Sequence, residues 1–192
     1  MTEIKGISVD EWKKKICEEA ERLRPQLIEL SHSIHDEPEI GFQEFKSSAK
    51  ICDFLEKQGF ETERGYCDLP TSFKAVKKGT GKGPVVAFLA EYDALRGVGH
   101  GCGHNVIAAA GLGAALALAP LAADAGLRIK LLGTPAEEHG GGKIELLREG
   151  AWEDADFSLM VHGMSGTDIS ASLKLYTAVD RFDIIFTGKG AH

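Results

Sequence analysis

The sequence predicts an α/β protein whose sheet is mostly parallel and carries helices on both faces. Three observations predict this class. Apolar runs bounded by turn residues, such as PVVAFLAEY, are typical of strands buried on both sides of a parallel sheet. Stretches of helical length, either amphipathic or rich in Ala, lie between these runs. Strands and helices therefore alternate along the middle of the chain, which is the order of βαβ units.

The first part of the chain predicts two helices and two extended segments. A helix is expected over residues 10–33, and Pro25 is expected either to kink it or to divide it in two. The apolar face of this helix consists of Ile16, Leu23, Leu27 and Leu30. A second amphipathic helix is expected over about residues 43–58, ending at Gly59. The segments FETERGY and SFKAVKKG, closed by the turn GTGKG, are then expected to be extended.

The middle of the chain contains the predicted βαβ units. PVVAFLAEY is expected to be a strand, and an Ala-rich helix over about residues 105–123 follows it. LRIKLLGTP is the next expected strand, GGKIELLREG the next helix and FSLMVHG a third strand. Beyond Gly163, apolar and polar residues alternate without a helical pattern, which indicates antiparallel strands that open a second domain.

Composition limits the class of partner. The 192 residues carry 22 Lys and Arg against 29 Asp and Glu, and a net charge of −7 argues against a nucleic-acid partner. The longest apolar run, VIAAAGLGAALALAPLAA, is interrupted by Pro120 and is interpreted as a buried helix instead of a membrane span. The N-terminus lacks the apolar segment of a secretion signal, and the four cysteines lack the spacing of a disulfide framework. A cytoplasmic location is therefore expected.

Side chains that carry chemistry follow successive predicted strands. The motif EYD ends the first strand, GVGHGCGHN comes directly after it, GTPAEEHGGG follows the second strand, and VHG ends the third. The residues concerned are Asp93, Cys102, His104, Glu137, Glu138 and His162. Because the carboxyl ends of parallel strands share one edge of the sheet, where ligands bind, these side chains are expected to converge.

Each motif also has a purely structural interpretation. Cys102 and His104 either bind a borderline-soft ion such as zinc or belong to an ordinary Gly-rich loop. Glu137 and Glu138 either form a solvated first turn of a helix, or one binds metal while the other takes a proton from metal-bound water. His162 alone would more often be a core histidine. All four clusters at strand ends together favour the metal hypothesis.

The same blocks carry a family resemblance. AEYDALRGVGHGCGHN, GTPAEEHGGGK and MVHG resemble the signature blocks of the aminoacylase/carboxypeptidase-type zinc metallopeptidases (metallopeptidase family twenty), in their amidohydrolase branch. IHDEPEIGFQEFKSS resembles the N-terminal block of that branch, and FTGKGAH the segment that opens its inserted dimerisation domain. At Asn105 the sequence resembles the group of p-aminobenzoyl-glutamate hydrolase and β-alanyl-lysine dipeptidase, whereas hippurate and auxin-conjugate hydrolases usually have Asp there.

The resemblance implies a hydrolase that uses two divalent metal ions, Zn or Mn, as cofactors. Its substrate would be an N-acyl amino acid, a p-aminobenzoyl-glutamate-like conjugate or a dipeptide, and the full-length protein would be a homodimer. Carried over position by position, the implied metal ligands are Cys102, His104, Glu138 and His162. Glu137 is then the general base, Asp93 the catalytic aspartate that orients a metal ligand, and His192 a substrate-binding residue.

The resemblance also implies a division into domains. Residues 1–168 are expected to be the N-terminal part of a metallopeptidase catalytic domain, and residues 169–192 the start of an α+β dimerisation, or lid, domain. Family members are longer, and a further metal-ligating histidine follows their lid, so this chain is interpreted as an N-terminal fragment. Arg96 stands where the family usually has Pro, a difference expected to affect the shape of the loop.

Two other functions are kept as alternatives. One is a non-catalytic metal-binding protein, or an inactive fragment, on the same scaffold. The other is a nucleotide-binding α/β domain in which GTGKG or GVGHGCGHN binds phosphate. GTGKG lacks the full P-loop spacing and precedes a strand instead of a helix, and phosphate binding gives no reason for Cys and His in GVGHGCGHN. The metal-dependent hydrolase is the favoured hypothesis.

Overall fold

The computed structural model describes residues 3–4, 6–77, 82–163 and 184–190. The helices are α1 (Val9–His35), α2 (Phe45–Lys57), α3 (His104–Ala125) and α4 (Gly142–Arg148). The strands are β1 (Glu3–Ile4), β2 (Ile7–Ser8), β3 (Phe60–Arg64), β4 (Phe73–Lys77), β5 (Val85–Ala90), β6 (Arg128–Gly133) and β7 (Phe157–Leu159). Each helix and strand predicted before residue 164 is present, and the β1–β2 hairpin is an addition that the sequence analysis did not predict.

Strands β3 to β7 form one sheet in the order β3-β4-β6-β5-β7. Strand β5 is parallel to β6 and to β7, whereas β4 is antiparallel to β3 and to β6. The sheet is therefore mixed, and the prediction of a mostly parallel sheet is wrong for the described strands. The short connection over residues 65–72 joins β3 and β4 as a hairpin, and strands joined in this way run antiparallel. The parallel half, β6-β5-β7, is the half that leads to the polar motifs.

Helices cover both faces of the sheet, as the sequence predicts. Helices α1, α2 and α3 share one apolar cluster with alternate residues of β5, namely Val86, Phe88 and Ala90. On the opposite face, Leu146 of α4 packs with Leu89 of β5 and Leu132 of β6. The two clusters hold β5 and β6 between them, so the loops that follow these strands start from a firmly packed base.

Pro25 does not divide the first helix. Helix α1 continues from Val9 to His35, and Ser8 caps its start by accepting a hydrogen bond from the Glu11 amide at 3.2 Å. Leu23 and Leu30, on either side of Pro25, are both buried. Because both halves of the helix are anchored in the same core, their packing offsets the hydrogen bond that proline removes.

Helix α3 lies between α1 and the sheet and is the most apolar helix of the described chain. It continues through Pro120, which the sequence analysis took as an interruption of the apolar run. By length and composition alone α3 could cross a membrane, a test that the buried core helix of a soluble protein also passes. Of the most apolar 18-residue window of α3, 56% is buried inside the fold, in agreement with the interpretation of α3 as a buried helix.

Gly111 brings α3 against the backbone of β5. A Cβ atom at Gly111 would overlap the carbonyl oxygen of Leu89. We expect Gly111→Ala to lower the free energy of unfolding by about 1–3 kcal/mol, because added volume in a packed core forces the backbone apart. Urea unfolding followed by circular dichroism measures this change.

Gly113→Ala is the matched control for that substitution. The Cβ atom of Gly113 would meet only the end of the flexible Leu27 side chain, at 2.9 Å, and alanine favours a helix over glycine. We therefore expect the Gly113→Ala protein to be as stable as the parent or more stable. If both alanine proteins unfolded at the same urea concentration, the close packing of α3 on β5 would be contradicted.

The segment assigned to a second domain is described only in part. Residues 184–190 contain no helix or strand. The remaining residues of that segment, 169–183 and 191–192, lie outside the described residues, as does His192. The division at residues 168 and 169 therefore stays a prediction.

Candidate metal centre

The polar motifs meet at the carboxyl edge of β5, β6 and β7. The loops after these three strands carry, in turn, Glu91 and Asp93, then Glu137 and Glu138, then His162. Because the three strands are parallel, all three loops start from the same edge of the sheet. Cys102 lies in the loop between β5 and α3, and His104 is the first residue of α3.

His104 lies at the centre of this group. Its side chain is only 1% exposed, and its Nδ1 atom lies 2.9 Å from both the carbonyl oxygen and Oδ1 of Asp93. These two acceptors place the proton on Nδ1, so that Nε2 carries a lone pair. Nε2 faces acidic oxygens at 3.4 Å from Glu91, 3.7 Å from Glu137 and 3.8 Å from Glu138.

The surroundings of His104 favour a cation. Burial opposes the charged imidazolium, but the hydrogen bond to Asp93 and the negative charges of Asp93 and Glu91 outweigh burial and raise the pKa of His104. His104 Nε2 and Glu91 Oε2 are both buried, and neither has a hydrogen-bond partner among the described residues. Leaving buried polar atoms unpaired is costly, so a lone pair and a carboxylate oxygen that face each other fit a bound metal ion.

Asp93 connects the His104 loop with the Glu138 loop. Its Oδ1 accepts the hydrogen bond from His104, and its Oδ2 accepts one from the backbone amide of Glu138 at 2.9 Å. Burial alone would raise the pKa of Asp93, but these hydrogen bonds outweigh burial and lower it. Asp93 is thus held as a carboxylate that contacts both neighbours.

Glu137 and Glu138 have different surroundings. The Glu137 side chain is 39% exposed and the Glu138 side chain 13%. Burial, and then the charge of Glu91, raise the pKa of Glu137, which suits a group that accepts a proton near neutral pH. The Cys102 thiol is hydrogen-bonded to Glu138, and this bond together with partial burial raises the pKa of Cys102 to about 11. A metal ion that binds this sulfur must therefore displace its proton.

Among the described residues, two sets of side chains could each hold a metal ion. In each set the possible ligand atoms all lie within 4.8 Å of one another, and the sets are Glu91, His104 and His162, and His104, Glu137 and Glu138. Neither set includes Cys102, which reaches the second set through its hydrogen bond to Glu138. Imidazole and carboxylate ligands suit both zinc and manganese, so the donor set does not choose between these metals.

The structure brings together the six described residues that the sequence analysis selected. Their individual roles as ligand, base or orienting group stay predictions, as does substrate binding by His192, which lies outside the described residues. Residues 79–81 of GTGKG, the alternative phosphate-binding loop, also lie outside the described residues.

Glu91 was missed by the sequence analysis. It is 1% exposed and lies closer to His104 Nε2 than either glutamate that was selected. A signal was present, since Glu91 and Asp93 are two residues apart in EYD at the end of an extended segment. Side chains two residues apart in an extended chain point to the same side.

Glu44 was also missed, and it acts on the loop that carries the two glutamates. It is fully buried, and its Oε1 accepts a hydrogen bond from the backbone amide of Ala136 at 2.7 Å. Ala136 has a positive φ of 55°, a conformation that costs energy for alanine and needs support from its surroundings. Burial raises the pKa of Glu44. Nothing in the sequence showed that a glutamate just before α2 turns inward.

Comparisons with known proteins identify similar proteins and a matching family. Residues 85–178 match the family described as peptidase family M20/M25/M40. The chain is 38% identical over 162 residues to the mouse Xaa-Arg dipeptidase, a match that covers 78% of this chain and 38% of that protein. It is 35% identical over 175 residues to a p-aminobenzoyl-glutamate hydrolase polypeptide from Escherichia coli, covering 79% of this chain and 36% of that protein.

A solved structure shows the same fold. The Bacillus subtilis YXEP protein, described as a dinuclear metal binding peptidase from the M20 family, superposes with a TM-score of 0.65 at 29% sequence identity. This superposition covers 72% of the present chain and 42% of the YXEP chain. The present chain thus spans less than half the length of each of these three proteins.

Proposed function

Because the chain belongs to peptidase family M20/M25/M40, we propose that the protein is a metal-dependent hydrolase that cleaves amide bonds. Its proposed substrates are dipeptides, N-acyl amino acids or conjugates similar to p-aminobenzoyl-glutamate. The observation that carries the proposal is the buried Nε2 atom of His104, which has no hydrogen-bond partner among the described residues and faces three carboxylates. The dinuclear metal binding of the YXEP relative supports two divalent ions, zinc or manganese, as cofactors.

The proposed ligands are Cys102, His104, Glu138 and His162. Bound divalent ions would lower the pKa of a water molecule and would polarise the carbonyl group of the substrate. Glu137 takes a proton from the attacking water and passes it to the leaving nitrogen as the C–N bond breaks, which yields a carboxylic acid and an amine. Its partial exposure lets Glu137 reach a substrate. Asp93 keeps the His104 proton on Nδ1, so that Nε2 stays free to bind metal.

Further parts of the hypothesis concern the whole protein. We propose that His192 contributes to substrate binding, that residues 169–192 begin a dimerisation domain, and that the full-length protein is a cytoplasmic homodimer. The proposals on His192, the dimerisation domain and the homodimer rest on the sequence resemblance described above, and the cytoplasmic location rests on the spacing of the cysteines.

Hydrolysis of a small panel of substrates tests the proposed function. The protein at its natural full length is freed of metal, supplied with zinc or manganese, and given p-aminobenzoyl-glutamate, β-alanyl-lysine, hippurate, an N-acetyl amino acid and an Xaa-Arg dipeptide. We expect at least one substrate to release its amine when metal is present, and a chelator to stop the release. If the protein binds metal but hydrolyses no substrate of the panel, the alternative of a non-catalytic metal-binding protein is favoured.

Replacement of Cys102 tests the ligand set directly. We expect Cys102→Ala to weaken metal binding by more than about 10-fold, since even the loss of an outer partner of a ligand costs roughly 10–100-fold. Elemental analysis after dialysis against a fixed metal concentration measures the change. Cys17→Ala is the matched control, because Cys17 is also an exposed free cysteine but lies on α1. Equal metal content in the two proteins would remove Cys102 from the ligand set.

A further inference from the structure

Glu91 has the surroundings of a metal ligand, although its position was not among those that the resemblance assigned. Its Oε2 atom lies 3.4 Å from Nε2 of His104 and 3.9 Å from Nε2 of His162. The carboxylate is 1% exposed, and Oε2 has no hydrogen-bond partner among the described residues. A buried carboxylate oxygen is therefore aimed between two imidazole rings.

In their neutral forms, the two imidazoles can each present a lone pair to Glu91 instead of a hydrogen. His104 Nδ1 lies at hydrogen-bond distance from Asp93, and His162 Nδ1 lies 2.7 Å from the carbonyl oxygen of Gly163. When each Nδ1 donates its proton to these acceptors, each Nε2 is left with a lone pair. Three acceptor atoms, two nitrogens and one carboxylate oxygen, then face one another. Such a group is stabilised by a cation among the three atoms, and imidazole and carboxylate are common ligands of divalent metals.

Lys143 determines which oxygen of Glu91 faces this group. Its ammonium group is hydrogen-bonded to Oε1 of Glu91, which leaves Oε2 directed at the histidines. Lys143 lies in the first turn of α4, and this turn packs closely on the preceding loop, since a Cβ atom at Gly142 would overlap the carbonyl oxygen of Pro135. The backbone contact fixes the start of α4, and with it the place from which Lys143 reaches Glu91.

We propose that Glu91 is a further metal ligand, which shares an ion with His104 and His162, and that Lys143 is the positioning residue that orients it. This inference rests on the proposed metal-dependent function and extends it. Lys143 occupies Oε1 and keeps the charge of Glu91 balanced in a buried site, so Oε2 is presented as a single donor atom. Ligating carboxylates are commonly held by such outer hydrogen bonds, which tune the affinity for the metal.

A plain buried ion pair is the competing explanation for Glu91 and Lys143. The chain contains another ion pair with one buried member for comparison, since Lys130 is 2% exposed and is bonded to the exposed Asp154 and to the carbonyl oxygen of Ala151. Lys130 lies on β6 before the loop of the metal centre, on the face where α4 packs. Loss of either lysine is expected to lower stability, but only loss of Lys143 is expected to change metal binding.

Manganese titration of the full-length, metal-free protein tests the proposal, with binding followed by calorimetry and bound metal counted by elemental analysis. We expect the parent to bind two ions. Glu91→Gln keeps the shape and the Lys143 contact but loses the charge, and should weaken the binding of one of the two ions by roughly 10–100-fold.

Lys143→Met should also weaken the binding of that ion, and Lys143→Arg should weaken it less than Lys143→Met does. Lys130→Met, with folding checked by circular dichroism, should bind both ions as the parent does, and Lys50→Met is a milder lysine control.

The titration distinguishes failure of this inference from failure of the proposed function. If the parent binds two ions and Glu91→Gln binds both with unchanged affinity, Glu91 is not a ligand and the ion pair is structural. If Lys130→Met weakens metal binding as much as Lys143→Met, Lys143 has no specific positioning role. If the parent itself binds no manganese or zinc, the proposed metal centre fails together with this inference.

Discussion

Replacing Glu137 with glutamine is expected to lower kcat by about 10²–10⁴-fold, the range that a positioned acid–base group contributes. The raised pKa and partial exposure of Glu137 suit proton transfer between water and a leaving amine. Glutamine has nearly the same shape but cannot accept and release a proton at neutral pH. Because five other side chains are proposed as the ligands, metal content should stay at the parental value. Steady-state kinetics on the most active substrate of the panel, together with elemental analysis, measures both quantities.

Glu149→Gln is the matched control, since Glu149 is exposed and lies at the far end of α4. It should leave both kcat and metal content unchanged. A Glu137→Gln protein with parental activity would refute the assignment of Glu137 as the general base. If its metal content fell as well, Glu137 would act as a ligand, in keeping with its place in one of the two possible metal-binding sets.

Replacing Asp93 with asparagine is expected to weaken metal binding by about 10–100-fold and to lower turnover at least as much, since outer partners of metal ligands have effects of this size. Asp93 accepts two hydrogen bonds, one from His104 and one from the amide of Glu138. Asparagine has a single acceptor oxygen, and its NH₂ group can only donate. Either the ring N–H of His104 or the amide of Glu138 must then face the NH₂ group of the asparagine. As a result, either the proton of His104 moves to Nε2 or the Glu138 loop shifts. Calorimetric titration with manganese measures the loss.

Asp156→Asn controls for the loss of a carboxylate that lies just before β7 and bonds to the start of β5, away from the metal centre. Asp156 accepts a hydrogen bond from the backbone amide of Val85 at 2.8 Å, and its variant should bind metal as the parent does. Parental metal affinity in Asp93→Asn would show that the hydrogen bonds of Asp93 orient no ligand.

The local elements of the fold could be predicted because their signals lie within short windows. Continuous apolar runs predicted β5 and β6, and the helical periodicity predicted α1 and α2 to within two residues at most of their ends. Strand pairing was harder, since one of the two partners of β4 is β6, which lies more than fifty residues further along the chain. Whether Pro25 would divide its helix could not be decided from the sequence, because the cost of a proline is local whereas the burial that offsets it is not.

The sequence by itself determined which chemical groups follow the strands, and the order of the parallel strands made their convergence predictable. Only the tertiary structure decided how these groups face one another. It placed the lone pair of His104 among three carboxylates, joined Asp93 to two loops, and brought Lys143 from the start of α4 to Glu91. The physical reason is that hydrogen bonds and desolvation act through space over a few ångströms. The contacts of Asp93 with His104 and of Lys143 with Glu91, for example, join residues 11 and 52 positions apart along the chain.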